Sequence, residues 1–423
     1  MAFSLLILLT AIYLIRPADW IPALAAIPLF QLTILPCLVL SAEACSKQLT
    51  SRTLRAYPVS FCVFGLLAVA FASQIVNAPG AIATTFGFSK ACIFYLLLVT
   101  LVNSQERLNA YLYGLGLILS CMGLLLLLNQ QGIISTGPSE PIPLGQVRAE
   151  ALGGQNFDAN DTAAILVPGI LIAFHQLFTL RAYLPRIFWL GCLLVTLTGL
   201  KLTDSRGGFI ALMIGVAAYI VFRWGKKGIM WGSLLLPLAA AQFATQRMTD
   251  VNAINQGTGQ QRVQLWHDGL MLLKLHPIFG IGPDEFTNFI GKAAHNSFVQ
   301  AYAELGFAGG TLFVGAFYFA IATLYRIHHA DHDDESEQQF LHPSVYVVFS
   351  ILAGYPLAIF MLNHLYGTST YLVLGLATAT VRINAPDGYH EPFPIEVLLK
   401  KLLVVSLCFL IAMKIAAEVL VSW

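Results

Sequence analysis

Apolar residues run along this chain in blocks close to the length of a bilayer-crossing helix, about 20 residues, or fewer where flanking side chains snorkel. The blocks lie near Phe3–Ile15, Trp20–Leu40, Val59–Ile75, Phe86–Val102, Leu108–Leu128, Thr162–Leu180 and Ile187–Leu202. They continue with Gly208–Phe222, Ile229–Phe243, Leu305–Tyr325, Val345–Leu362, Thr368–Val381 and Leu402–Val421. The pattern predicts an all-α, polytopic integral membrane protein with about 12 transmembrane helices. The whole chain, 1–423, reads as a single transmembrane domain with no soluble domain after the last span.

Most connections between blocks are short, but Asn129–Asp161 and Ala244–Asn296 are long, and a long connection in a compact protein usually has a function or is disordered. The second is patterned. Within "QQRVQLWHDGLMLLKLHPIFGIGPDEF", Val263, Trp266, Leu270 and Leu273 recur at helical spacing, and Pro277 stops the run. An amphipathic helix over the membrane face is expected here, with Arg262 one turn before Trp266. Segment 244–296 is thus a large, partly helical loop between the ninth and tenth spans.

Composition agrees with the pattern. Hydrophobic residues make up 57% of the chain and charged residues 11%, against about a quarter charged in a soluble domain. The formal net charge of +1 leaves no basic footprint for a nucleic acid. The seven cysteines are scattered, mostly in apolar runs, without a C-x-x-C pair, and read as small core residues. Phe3–Ile15 resembles the apolar part of a signal peptide, but no Lys or Arg precedes it, so it is counted as a short first span.

Basic residues orient the spans. With the N-terminus inside, the inner connections hold Lys47, Arg52 and Arg55, then Arg107, Arg181, Arg186, Arg223, Lys226, Lys227, Arg326 and Arg382. Few fall outside. These, chiefly Arg148, Arg206, Arg247, Arg262, Lys274 and Lys292, run against the preference and each invites a local explanation. A planar guanidinium matches phosphate oxygens and stays charged, so arginines converging at the outer leaflet suit an anionic lipid headgroup such as a diphosphate. Ordinary pairing with Glu140, Glu150, Asp204 or Asp268, or attraction to phospholipid, is the structural alternative.

The stretch "HNSFVQAYAELGFAGG" closes the long outer segment at His295. Asn296 or Ser297 can cap the following helix, whose N-terminus disfavours imidazolium, leaving a neutral ring able to accept a proton. A histidine at headgroup level, bonded to a carbonyl, is the alternative. Gly306 and Gly310 form G-x-x-x-G, a helix-packing device. Metal chemistry has little support: the adjacent Asp284 and Glu285 fit a turn after Gly282 and Pro283, and the tract "HHADHDDESEQQ" from His328 reads as a solvated inner loop.

Four stretches resemble the O-antigen ligase and polymerase superfamily. "HNSFVQAYAELGFAGG" is similar to the ligase-type H-N-x₉-G-x-x-G signature, complete as His295, Asn296, Gly306 and Gly309; the "HPIFGIGPDEF" turn fits with His276, Pro277, Gly280, Gly282 and Phe286. "DSRGG" resembles the family's Ser-Arg-Gly turn, and "NFDAND" its Asn-x-x-x-Asn region before a span. The resemblance covers about Gly145 to Tyr325.

The resemblance implies a GT-C-like glycosyltransferase in the bacterial inner (cytoplasmic) membrane, with segment 244–296 periplasmic and over the active site. It implies metal-independent, inverting transfer of O-antigen from undecaprenyl diphosphate to lipid A–core, without a cofactor. His295 would be the base; Arg206 and Arg262, with Arg148 less sharply matched, would hold the diphosphate; Asn296, Gly306, Gly309 and Trp266 would support them. Two alternatives stay open: a polymerase using the same donor, and a lipid-linked glycan transporter, for which mid-membrane charges and internal repeats are the expected marks.

Overall fold

A computed structural model describes residues 1–77, 82–134, 158–243, 258–333, 342–386 and 390–420. Arg148, Asn156 and the segments 135–157, 244–257 and 334–341 lie outside the described residues. Every element among the described residues is helical. Among the described residues, nine helices are long and apolar enough to cross a membrane, and Ala2–Ile15 and Ser344–Ile359 are shorter apolar ones. The chain divides into two compact units, Met1–Ala42 with Thr100–Thr249 and Asp331–Ala358, and Glu43–Val99 with Asp250–Ala330 and Ile359–Trp423.

The first unit contains α1 (Ala2–Ile15), α2 (Pro17–Trp20), α3 (Leu29–Gln48, which runs into the other unit), α7 (Gln105–Gln130), α8 (Ala159–Thr179), α9 (Tyr183–Thr203), α10 (Arg206–Phe243) and α14 (Ser344–Ile359). Its core is α8, buried almost continuously from Thr162 to Ala173 and packed against α7, α9 and α10. Small residues permit this. Gly199 of α9 lies against Gly123 of α7, and a methyl group on Gly208 of α10 would meet Ala163 of α8. Between apolar helices in an apolar solvent, close backbone approach replaces the hydrophobic drive.

The second unit contains α4 (Ser51–Ala56), α5 (Pro58–Asn77), α6 (Ile82–Leu101), α11 (Thr258–Leu275), α12 (Phe286–Ile290), α13 (Ser297–Asp333), α15 (Thr368–Asn384) and α16 (Ile395–Leu420). Along α16 the residues Leu399, Leu403, Leu407, Ile411, Ile415 and Val419 are all exposed. That four-residue spacing is one outward stripe, stable only in contact with lipid.

Several boundaries depart from the apolar pattern for identifiable reasons. No helix follows Trp20–Leu40: Pro22 and Pro28 confine residues 22–24 to a 3₁₀ turn, and the span is α3, from Leu29 to Gln48. The expected pair Gly208–Phe222 and Ile229–Phe243 is present as two helices within α10, parted at Gly225, which takes φ 53° and ψ −133°. The first residues of the His/Asp-rich tract, from His328 to Asp333, are helical rather than a loop. Ser344–Ile359 ends three residues before the expected Leu362, because the chain turns there into the segment 360–367 that reaches the site.

Contacts within the second unit join span ends as the alternation predicts. Phe393 N–H donates to the Arg55 carbonyl at 3.2 Å and Tyr57 bonds His390 at 2.9 Å, all on connections expected inside. Thr84 donates to Asp284 at 3.2 Å and His295 N–H to Asn363 at 2.9 Å, all on connections expected outside.

Candidate functional site

His295 stands immediately before α13 with φ 47°, a left-handed backbone that few side chains adopt. Asn363, from the segment after α14, accepts its backbone N–H at 2.9 Å and holds that conformation. The next residue is the cap. Asn296 Oδ1 accepts the N–H groups of Phe298 and Val299 at 3.0 and 3.1 Å, satisfying two otherwise orphaned donors at the helix start. Ser297, the other expected cap, instead donates to the Leu362 carbonyl and accepts from His364 N–H, each at 2.8 Å. Ser297 and Asn363 thus tie segment 362–364 to the head of α13.

The glycine motif proves to be a helix break. Gly306 takes φ 67° and ψ −167° inside α13, and Gly280 of the "HPIFGIG" turn takes φ 68°. The two backbones are in direct contact. A Cβ on Gly306 would run into Ile278 and Gly280, and one on Gly280 into Glu304 and Gly306. The carbonyls freed by the break are used: Ile281 N–H bonds Ala303 and Gly282 N–H bonds Glu304, each at 3.0 Å, while Phe307 N–H bonds Pro277 at 2.8 Å. The G-x-x-x-G packing expected for Gly306 and Gly310 is therefore corrected, since Gly306 receives a turn rather than a neighbouring helix. Gly309 and Gly310 follow the break, where a Cβ would meet Leu305 and the Tyr302 ring.

Arg262 and Trp266 lie on α11, as expected, but that helix is buried on two sides. Val263 and Trp266 pack with Val299 of α13 and Met413 of α16, and the Trp266 ring meets Phe360 edge-on with centroids 5.1 Å apart. Leu265 and Leu272 pack with Ile281, Phe286, Ala294 and Ala303. Gly269 sits between them, so close to Val299 and Phe286 that a side chain would not fit. Arg262 itself is half-buried near the start of this wedged helix. Arg206 belongs to the first unit, where Asp204 (φ 49°) turns the chain and Ser205 Oγ accepts Gly208 N–H at 3.3 Å to cap α10. The Ser-Arg-Gly turn is thus a helix start that places Arg206 at its first position. Asp158 of "NFDAND" forms a capping box with Asp161 at the head of α8.

Sequence reading passed over a carboxylate inside its own motif. Glu304 is 1% exposed within the apolar span α13. Its Oε2 accepts from Tyr366 OH at 2.8 Å and Asp284 N–H at 3.0 Å, and Gln300 Nε2 lies 3.2 and 3.3 Å from its two oxygens. Burial and the neighbouring carboxylate hold the Tyr366 hydroxyl protonated, well above the ordinary tyrosine range, so it donates. Asp284 takes φ 63° in the expected turn, and partial burial raises its carboxyl above the usual aspartate value, opposed by the Thr84 bond and assisted by Glu285. No group of three or more potential ligands is arranged for a metal among the described residues. A cavity of about 560 Å³ in the same unit lies toward the other end of α13, lined by Tyr57, Phe319, Arg326 and Phe393.

Residues 191–314 match the family model described as O-Antigen ligase. A Rickettsia felis protein named "Putative polysaccharide ligase" is 26% identical over 140 residues, which is 27% of this chain and 34% of that protein. A Rickettsia typhi protein of the same description is 25% identical over 146 residues, 29% of this chain and 36% of its own. The similarity thus spans about a third of these relatives' length. The family match encloses Arg206, Arg262, Trp266, His295, Asn296, Gly306 and Gly309, but neither Asn363 nor Tyr366. Over residues 191–314, therefore, this chain is similar to the O-antigen ligase family.

Proposed function

We propose that the chain is an O-antigen ligase of the bacterial inner membrane, with its catalytic site facing the periplasm. It transfers O-antigen from undecaprenyl diphosphate to lipid A–core, in lipopolysaccharide biosynthesis. The observation that carries this reading is His295, fixed in a left-handed turn at the head of a span, within the stretch that matches the family.

The chemistry asks little beyond a base and a charged cradle. His295 takes the proton from an acceptor hydroxyl as that oxygen attacks the anomeric carbon. The bond from that carbon to the diphosphate oxygen breaks with inversion, and undecaprenyl diphosphate leaves with the electron pair. Arg206 and Arg262, joined by Arg148, hold the departing charge. General-base help is worth about 10²–10⁴-fold and a lost electrostatic contact about 10²–10³-fold. Asn296 fixes the helix start beside the base, and Trp266 anchors the helix that carries Arg262.

The test is purified protein with synthetic undecaprenyl-diphosphate glycan and lipid A–core, in the presence of a chelator. Transfer by the wild type and its loss in a His295 variant is the expected result. Extension of one lipid-linked glycan by another, with no product on lipid A–core, would assign a polymerase instead.

A further inference from the structure

A carboxylate with no solvent, sitting in an apolar span, is costly unless it does something that an apolar residue would not. Glu304 gathers donors from two separate segments besides its own helix. Asp284 N–H comes from the turn 276–284 and Tyr366 OH from segment 360–367, while Gln300 Nε2 comes from one turn back on α13. Ser73 of α5 adds a bond to the Glu304 carbonyl at 3.1 Å and a second to that of Phe279. Segment 360–367 is the one that supplies Asn363 to His295. Its free travel between those contacts is small, since Asn363 and Tyr366 are three residues apart and His364 N–H is fixed on Ser297.

We infer that Glu304 is a positioning residue for His295: through Tyr366 it holds the segment whose Asn363 side chain sets the left-handed backbone of His295. The inference rests on the proposed role of His295 as the base. Glu304 touches neither donor nor acceptor. Its contribution is to keep the imidazole in register with the acceptor hydroxyl, where a displacement of about 1 Å costs about 10²-fold in rate.

The experiment compares wild type, Glu304→Leu, Glu304→Gln, Asn363→Ala and the double variant Glu304→Leu/Asn363→Ala in the transfer assay, with KM for donor and thermal melting measured alongside. Leucine removes the acceptor of Asp284 N–H, the Tyr366 hydroxyl and Gln300 Nε2, which is why melting is read beside kcat. Glu304→Leu should lower kcat about 10²-fold with KM for donor changed less than about two-fold. Glutamine keeps one oxygen for Tyr366 and Asp284 and should recover most of that loss. The double variant should be no worse than the poorer single variant, because both act through one path. Wild-type kcat in folded Glu304→Leu protein, or losses that multiply in the double variant, would overturn the inference. Should Glu304→Leu fail to accumulate, Tyr366→Phe takes its place in the cycle with Asn363→Ala, with the same two readings. Loss of transfer in His295→Asn beside normal kcat in Glu304→Leu sinks this inference alone; normal transfer in His295→Asn sinks the base assignment and this inference with it.

Discussion

Asn363 and His295 are 68 positions apart, yet the Asn363 side chain accepts the His295 backbone N–H at 2.9 Å and the backbone so fixed is left-handed, with φ 47°. That one bond separates two effects usually confounded in a histidine knockout. Asparagine tolerates a left-handed backbone, whereas alanine pays about 1–2 kcal/mol there. His295→Asn should keep the wild-type melting temperature and His295→Ala should melt lower, while both lose transfer by about 10²–10⁴-fold. Parallel melts and single-turnover transfer assays check this.

The contact between Gly280 and Gly306 leaves no room for a side chain on either. Gly306→Ala combines a positive-φ cost with direct overlap and should destabilise by roughly 3 kcal/mol or more. Gly191→Ala, on α9 with open space around it, should be neutral or stabilising by up to about 1 kcal/mol. Detergent-solubilised melting curves of the two variants give the comparison.

Arginine and lysine differ at a diphosphate. Replacing Arg206 or Arg262 by lysine keeps the charge and removes the planar fork. Each should reduce transfer by about 10²–10³-fold with melting little changed. The measurement is kcat/KM at saturating acceptor, and normal turnover in both variants would remove the arginines from the donor site.

Asp284 supplies a pH test whose sign is fixed. Burial raises its folded-state pKa above the unfolded value, so the folded chain binds more protons between the two. Its contribution to stability is largest below the unfolded pKa and is lost as pH rises through the folded one. Asp284→Asn, which can keep the Thr84 bond and the φ of 63°, should melt slightly higher than wild type at neutral pH. The difference should shrink on acidification. Retained transfer by this variant in chelator would also set Asp284 apart from any metal role.

The legible part of this protein was periodic or local. Apolar block length located most spans, because each needs only its own residues to face lipid. The cap at Asn296, the turn at Asp284 and the helix carrying Arg262 and Trp266 were equally readable, since their partners lie within a few residues. Trp20–Leu40 misled because hydropathy ignores what Pro22 and Pro28 do to a backbone. Glu304 was hidden by its own neighbourhood: within a span, one carboxylate barely alters the mean, and its donors Asp284 and Tyr366 lie 20 and 62 positions away. Segment 360–367 looked like the tail of one span and the gap before the next; only pairing across the chain makes Asn363 and Tyr366 parts of a site.

At the joint between the "HPIFGIG" turn and the break in α13, Gly280 and Gly306 meet backbone to backbone, and peptide N–H groups of each segment bond carbonyls of the other. Peptide planes have no rotamers to exchange, so this seam lacks the softness that side-chain packing gives most interior contacts. Stretching or thinning of the surrounding lipid would deform the interleaved apolar faces first, while the crossing of Gly280 and Gly306 keeps its spacing.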